Sequence, residues 1–340
     1  MVLVFPILVA IFLAMNMGAS GTAPSFAAPH GANLLRRESI PGLFGLFVLV
    51  GAAVAGQKVV KTVAGDILPA ESMQAGLVTV LLLSIALSLF LANLLRVPQS
   101  TSQATVLALV GCAAYLGNLQ TAKLLVWIVP AWFILPLAAF GLTYVFSRFL
   151  YRPLRRTARV DFDQLALHPV WRYITIASSC YVAFSIGANN VANAAGPLSS
   201  LIANHFHIGN GAPDFPLMML TTSVLVAPWF GIGSSLMGER VMRTTSKEIV
   251  EFGPLGASFI SVLSATLLLL ASVTRGIPTA EVQLSTAAII AVGTVKGGFR
   301  QTFTQTAVPR LLTVWVVAPV MAFGLAFGLT ALADGLGWLG

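Results

Sequence analysis

Hydropathy along this chain rises and falls in long blocks. Apolar runs close to the 20 or so residues that a full membrane crossing requires cover 2–17, 40–56, 73–95, 124–147, 170–188, 216–236, 252–273 and 308–332. Shorter apolar pieces lie near 22–35, 98–117, 191–204 and 279–295, each preceded by a polar or Pro/Gly break. The long runs predict spanning helices. The short ones predict broken helices or re-entrant hairpins, which are tolerated at membrane depth only where protein buries them or they line a cavity. Together they predict an all-α polytopic membrane protein with about 10–12 membrane segments. The first run has no basic leader and continues into Asn16 and Gly18, so it reads as a membrane helix, in preference to a secretory signal.

Composition agrees: 57% of the 340 residues are hydrophobic and 9% charged, against about 25% charged in soluble domains. The excess of 19 Lys+Arg over 11 Asp+Glu gives a net charge of +8. These basic residues cluster in short segments between apolar runs, which is a positive-inside pattern. There is no basic stripe with interleaved aromatics, so no nucleic-acid partner is expected. The densest cluster, Arg148, Arg152, Arg155, Arg156 and Arg159, lies in 147-SRFLYRPLRRTARVDFDQLALHP-169. That segment is expected on the cytoplasmic side, and a basic loop at a membrane surface needs no further role; a lipid-headgroup or anionic-partner site is the lesser alternative. Cys112 and Cys180 sit in apolar runs and imply neither a disulfide nor a metal. No paired nucleophile and base and no phosphate-binding Gly-rich loop stand out. An enzyme or ATPase is therefore not expected, nor is any cofactor or metal.

The chain repeats itself. The segments 56-GQKVVKT-62 and 238-GERVMRT-244, 97-VPQSTSQAT-105 and 277-IPTAEVQLS-285, and 132-WFILPLAAFGL-142 and 315-WVVAPVMAFGL-325 are offset by 182, 180 and 183 residues. Earlier, 14-AMNMGASGTA-23 pairs with 183-AFSIGANNVA-192 at an offset of 169, and a polar insertion around 204–215 accounts for the change. An N-terminal repeat over 1–147, a basic linker over 148–169 and a C-terminal repeat over 170–340 follow. If each half crosses an odd number of times the halves are inverted, as is common in secondary transporters.

Inverted duplications place paired broken helices at a midplane substrate site. One pair is 16-NMGASGTAPS-25 with 185-SIGANNVANA-194. It supplies glycines for unwound backbone or close helix approach, with Ser20, Gly21, Asn189, Asn190 and Asn193 as site candidates; helix packing by small residues and amides is the alternative. The other pair is 98-PQSTSQAT-105 with 278-PTAEVQLS-285. A proline that opens a short helix leaves first-turn N–H groups facing the break, with the positive end of the helix dipole behind them. Ser100, Thr101, Ser102, Gln103, Thr279, Ala280 and Gln283 then form an anion site of donors. Ordinary helix capping is the alternative, and the recurrence at matching repeat positions favours binding. Glu281 lies in a segment apolar enough for membrane depth, where carboxylates are expensive and usually functional; it is the candidate proton carrier, or else a first-turn complement to the helix dipole. Lys58, Lys61, Arg240 and Arg243 recur in the matching segments and read as interfacial anchors before substrate attraction. His30, His205 and His207 read as solvated.

GANNVANA-GPL resembles the GAND-VANA-GP signature of the inorganic phosphate transporter (PiT) family, and V-P-Q-S-T-S resembles its P-x-S-T-T segment. The resemblance covers essentially the whole chain. It implies an inverted-repeat transporter, usually dimeric, in which Asp and Asn of two GAND motifs ligate sodium and Ser/Thr of two P-x-S-T-T segments bind phosphate. Asn190 stands where that signature has Asp, and 18-GASG-21 replaces the first GAND. Loss of both carboxylates argues against strong sodium coupling. Phosphate at neutral pH still carries a proton and gains from an acceptor, whereas sulfate needs only donors. AMNMGASG is also similar to the CysP-type sulfate permease branch of the family. The expectation is a proton-coupled sulfate importer of the inner (plasma) membrane, homodimeric by resemblance. A sodium- or proton-coupled phosphate transporter of the same fold is the alternative; a lipid-phosphate enzyme or a passive channel would be rivals from other classes.

Overall fold

The computed structural model describes residues 3–31, 34–95, 99–153, 169–209, 212–239, 242, 254–304 and 307–339. Most of the 148–169 linker, together with Pro98, Arg240 and Arg243, therefore lies outside the described residues. All regular structure among the described residues is helical, as expected where lipid leaves each backbone N–H and C=O to find its partner within the segment. In the first half the helices are α1 (Val4–Gly31), α2 (Ser39–Ala55), α3 (Gln57–Gly65), α4 (Ala75–Leu94), α5 (Thr101–Leu116) and α6 (Leu124–Leu150). The second half holds α7 (Pro169–Asn190), α8 (Ala192–His205), α9 (Phe215–Gly238), α10 (Pro254–Arg275), α11 (Glu281–Gly297), the short α12 (Phe299–Phe303) and α13 (Ala307–Gly335).

Six of these are long and apolar enough to cross a membrane, and α2 with α3, bent by 75° at Gly56, makes a seventh candidate. α7 falls outside this group because its inward face carries Thr175, Ser178, Ser179, Ser185, Asn189 and Asn190, all buried. α5 and α11 are short, and each follows a non-helical break, 99–100 and 276–280 among the described residues. The break expected between the apolar runs 2–17 and 22–35 is absent. α1 runs unbroken through Gly18, Ser20 and Gly21 and keeps Pro24 and Pro29 inside the helix. Its counterpart does break, for one residue, at Val191 between α7 and α8.

The halves trade partners. α1 packs on α9 and α7 on α2, while α5 packs on α13 and α11 on α6. Glycines set the first exchange. A Cβ at Gly18 would collide with the Phe230 backbone carbonyl and one at Gly233 with that of Met15; a Cβ at Gly187 would collide with that of Val48 and one at Gly51 with that of Phe184. These two reciprocal crossings sit at repeat-equivalent positions and bring helix backbones into direct contact, as small residues allow in membranes. α4 has 61% of its most apolar stretch buried, against 22% for α6 and 33% for α13. α6 and α13 therefore form the outer surface, with Phe133, Ile134, Leu137, Val316, Val317 and Val320 turned outward.

Candidate functional site

The starts of α5 and α11 meet the α7–α8 break in the buried centre. Ser100 caps α5, its Oγ accepting the Gln103 backbone N–H at 3.1 Å. α11 has Ala280 at the equivalent place and no side-chain cap. Pro278 lies upstream of both Ala280 and the helix start, so the expected proline in the first turn is displaced into the extended break. First-turn N–H groups lack the usual partner one turn back; here the Gln103 N–H is taken by Ser100 Oγ and the Gln283 N–H by the Ala280 carbonyl, both at 3.1 Å.

Asn189 is the hub. Its Nδ2 donates to Ser272 Oγ at 2.7 Å and to the Ile277 carbonyl at 3.0 Å. Its Oδ1 accepts from Ser102 Oγ at 3.0 Å and from the Thr279 N–H at 3.2 Å. With two donors and two lone pairs in use, the amide is saturated. Asn189 thus clamps α5, α10 and the 276–280 break onto α7 and has no capacity left for a ligand. Thr279 is likewise architectural, since its hydroxyl bonds the Ile277 carbonyl at 3.2 Å. Trp132 of α6 holds the next carbonyl, donating from Nε1 to Pro278 O at 3.0 Å.

Other groups keep free hydrogen-bonding capacity. Gln103 and Gln283 pair reciprocally, Nε2 to Oε1 at 3.1 Å and 2.9 Å, which leaves each amide one N–H. Asn193 Nδ2 reaches Thr101 Oγ1 at 3.5 Å and Met17 Sδ at 3.9 Å, and its Oδ1 has no partner. Asn190 receives only a long contact from Ser102, 3.5 Å. Glu281 is 3% exposed, and both its carboxylate oxygens lack hydrogen-bond partners, an arrangement that is costly for a charge.

The residues expected from the first half's signature lie apart. Ser20 turns back to the Met17 carbonyl at 3.2 Å, and Gly21 faces Phe44 and Ile186, so both serve packing. Ala280 contributes backbone only, its carbonyl accepting from the Gln283 and Leu284 N–H groups. Ser272 and Trp132 were not expected. Ser272 is a single hydroxyl in an apolar run and carries no periodic signal, while Trp132 was visible only as a repeated residue. Gln99 adds a further buried polar link, donating to Ser88 Oγ at 3.0 Å.

A site of amide, hydroxyl and helix-start N–H donors around one carboxylate can hold an inorganic anion and exchange a proton. Known proteins agree on the inorganic anion. The sequence model of the phosphate transporter family matches residues 17–326. Sulfate permease CysP of Bacillus subtilis (strain 168) is 33% identical over 327 residues, covering 96% of this chain and 86% of that protein. A solved structure titled the sodium-dependent phosphate transporter superposes with a TM-score of 0.82 at 18% identity, covering 98% of this chain and 99% of that one; it establishes the shared fold. The chain belongs to the phosphate transporter family and is a multi-pass membrane transporter of inorganic anions.

Proposed function

We propose that this protein imports inorganic sulfate across the inner (plasma) membrane by proton symport. Alternating access would come from rearrangement of the two inverted, interleaved halves 1–147 and 170–340, in a homodimer as the family resemblance implies. The observation that carries this reading is the chemistry of the centre. Gly21 and Asn190 occupy the two signature positions that resemble the family's carboxylates, and the remaining N–H of Gln103 and of Gln283 supplies donors beside the acceptors Asn193 Oδ1 and Glu281, which supports a fully ionised tetrahedral anion taken up with a proton. Glu281 is the carboxylate at the helix starts and has no partner to balance its charge; it would load a proton with the anion and release it inside. The name of the Bacillus subtilis relative supports sulfate. Phosphate is the second reading, supported by the fold of the sodium-dependent transporter.

Uptake of labelled sulfate and labelled phosphate into proteoliposomes, under separately imposed pH and sodium gradients, tests the proposal. Sulfate uptake should be driven by an inward proton gradient and indifferent to sodium. Glu281→Gln should still bind sulfate and exchange it across the membrane, but no longer respond to the pH gradient. Phosphate uptake that sulfate does not compete for would overturn the substrate, and an unchanged pH response in Glu281→Gln would overturn the coupling residue.

A further inference from the structure

We infer that the basic cleft formed by α3, the start of α6 and the end of α10 is a first binding site for the oxyanion at the external mouth of the permeation path. The inference rests on the import reading for the identity of the anion. The cleft has a volume of about 720 Å³ and is lined by Lys58, Lys61, Asp66, Lys123, Trp127 and Arg275, among others. That is within the range of roughly 300–1,000 Å³ usual for small-ligand sites and leaves room for an anion with part of its water. Four cations face one carboxylate. Lys123 is committed, its Nζ bonding Asp66 at 2.8 Å and Thr62 at 2.6 Å. Arg275 lies over the Trp127 ring at 4.2 Å, a stacking that leaves the guanidinium edge available. Lys58 and Lys61 stand on the exposed face of α3, whose other face buries Val59, Val60, Val63 and Ala64. Neither lysine has a carboxylate partner among the described residues.

Position turns this surplus charge into a route. Arg275 is followed by Gly276, whose φ of +62° lets the break lie against the Lys58 carbonyl and Thr62. The next residue, Ile277, already bonds Asn189 at the buried centre. One turn of chain therefore separates cleft from site. The side of the membrane follows from α6, whose 27 residues span roughly 40 Å, about the full bilayer with its headgroups. Lys123 immediately precedes α6, whereas Arg148 lies in its last turn and Arg152 just beyond. With the arginine-rich linker cytoplasmic by the positive-inside bias, the cleft opens to the outside, where an imported anion arrives. A cationic concavity at that place concentrates dianions and raises their capture rate, an effect that salt screens.

The test uses the full-length protein in two readouts. Trp127 reports on the cleft: its emission, isolated by difference from Trp127→Phe, is quenched with iodide and the quenching is competed with sulfate. In the wild type sulfate should relieve the quenching, and Lys58→Gln/Lys61→Gln should weaken iodide quenching and abolish its relief by sulfate. Identical iodide quenching with and without the lysines overturns the site. In proteoliposomes the double variant should raise the KM for sulfate about 3- to 10-fold at low ionic strength, leave kcat unchanged, and converge with wild type at high salt. A fall in kcat at unchanged KM overturns the capture role. Repeating the kinetics in purely neutral phosphatidylcholine and with added phosphatidylglycerol separates the anion's sources. An effect confined to the anionic lipid would assign the cleft to lipid headgroups and overturn the free-anion proposal. Because the fluorescence arm needs no transport, failure of sulfate import would refute the proposed function, and a failed competition would refute the cleft.

Discussion

The segments around Gly18 and Gly187 do the same mechanical work and different chemistry. Both glycines seat their helix directly on a backbone carbonyl of the other half, Phe230 for Gly18 and Val48 for Gly187, with Gly233 and Gly51 returning the contact. Beyond that joint they diverge. α1 continues as helix, and its Ser20, Thr22 and Ser25 hydroxyls turn back on their own carbonyls. α7 breaks at Val191, and Asn189 and Asn193 reach out to other helices. A duplicated unit has kept its packing twice and its polar hub once. Packing glycines are required wherever the backbones touch, whereas one saturated amide suffices to clamp the break.

The strongest way to break this comparison is to fill the joints. Gly18→Ala and Gly187→Ala each place a methyl inside contact distance of a backbone carbonyl, which cannot rotate away as a side chain would. Both should cost more than about 3 kcal/mol, the overpacking extreme, and should abolish a monodisperse peak in size-exclusion chromatography of the solubilised protein. Loss in one variant and tolerance in the other would show that the two crossings are not mechanically equivalent.

Ser20 and Asn189 occupy equivalent repeat positions, so truncating each sharpens the chemical half of the comparison. Asn189→Ala strands the Thr279 N–H and leaves the Ser102 hydroxyl only its 3.5 Å contact with Asn190, while Ser272 keeps its bond to the Leu268 carbonyl and the Ile277 carbonyl keeps that from the Thr279 hydroxyl. Thermal unfolding in detergent should show a loss of about 2–4 kcal/mol, with transport lost because the 276–280 break comes off its clamp. Ser20→Ala removes one local bond and should lie within about 0.5 kcal/mol of wild type. Comparable losses in the two variants would refute the assignment of the hub to the second half alone.

These contrasts show what the sequence could reveal. The helices were readable from the apolar blocks because lipid leaves the backbone few alternatives, and the duplication was readable from the offsets. The continuity of α1 was not. Gly, Ala, Ser and Gly in succession look like a break, but Gly18 seats the unbroken helix on the Phe230 backbone and Gly21 lies against Phe44 and Ile186. At the site, the donors of α5 and the second signature were legible by type, but the use made of each was not. Whether Asn189 ligates or clamps depends on Ser272, 83 residues away, and no local pattern marks that hydroxyl. The Gln103–Gln283 pair was within reach of the repeat alone. Equivalent residues that touch each other must lie on the axis relating the halves, and these two sit 180 positions apart, the offset of their segment.

The helix starts that carry those glutamines offer the smallest and most specific test. Ser100 caps α5 through the Gln103 N–H, while Ala280 leaves the matching N–H groups of α11 without a side-chain cap. Ser100→Ala should cost about 1 kcal/mol, the usual worth of an N-cap, read as a lowered unfolding midpoint. Ala280→Ser offers a side-chain cap to the Gln283 N–H, which now bonds the Ala280 carbonyl at 3.1 Å, and should stabilise by less than that. If the start of α11 is kept without a side-chain cap so that its Glu281 and Val282 N–H groups and the Glu281 carboxyl remain available to an anion and a proton, Ala280→Ser should gain that stability while raising the KM for the transported anion. A stabilised variant with unchanged transport would mean that the asymmetry between the two helix starts is structural only.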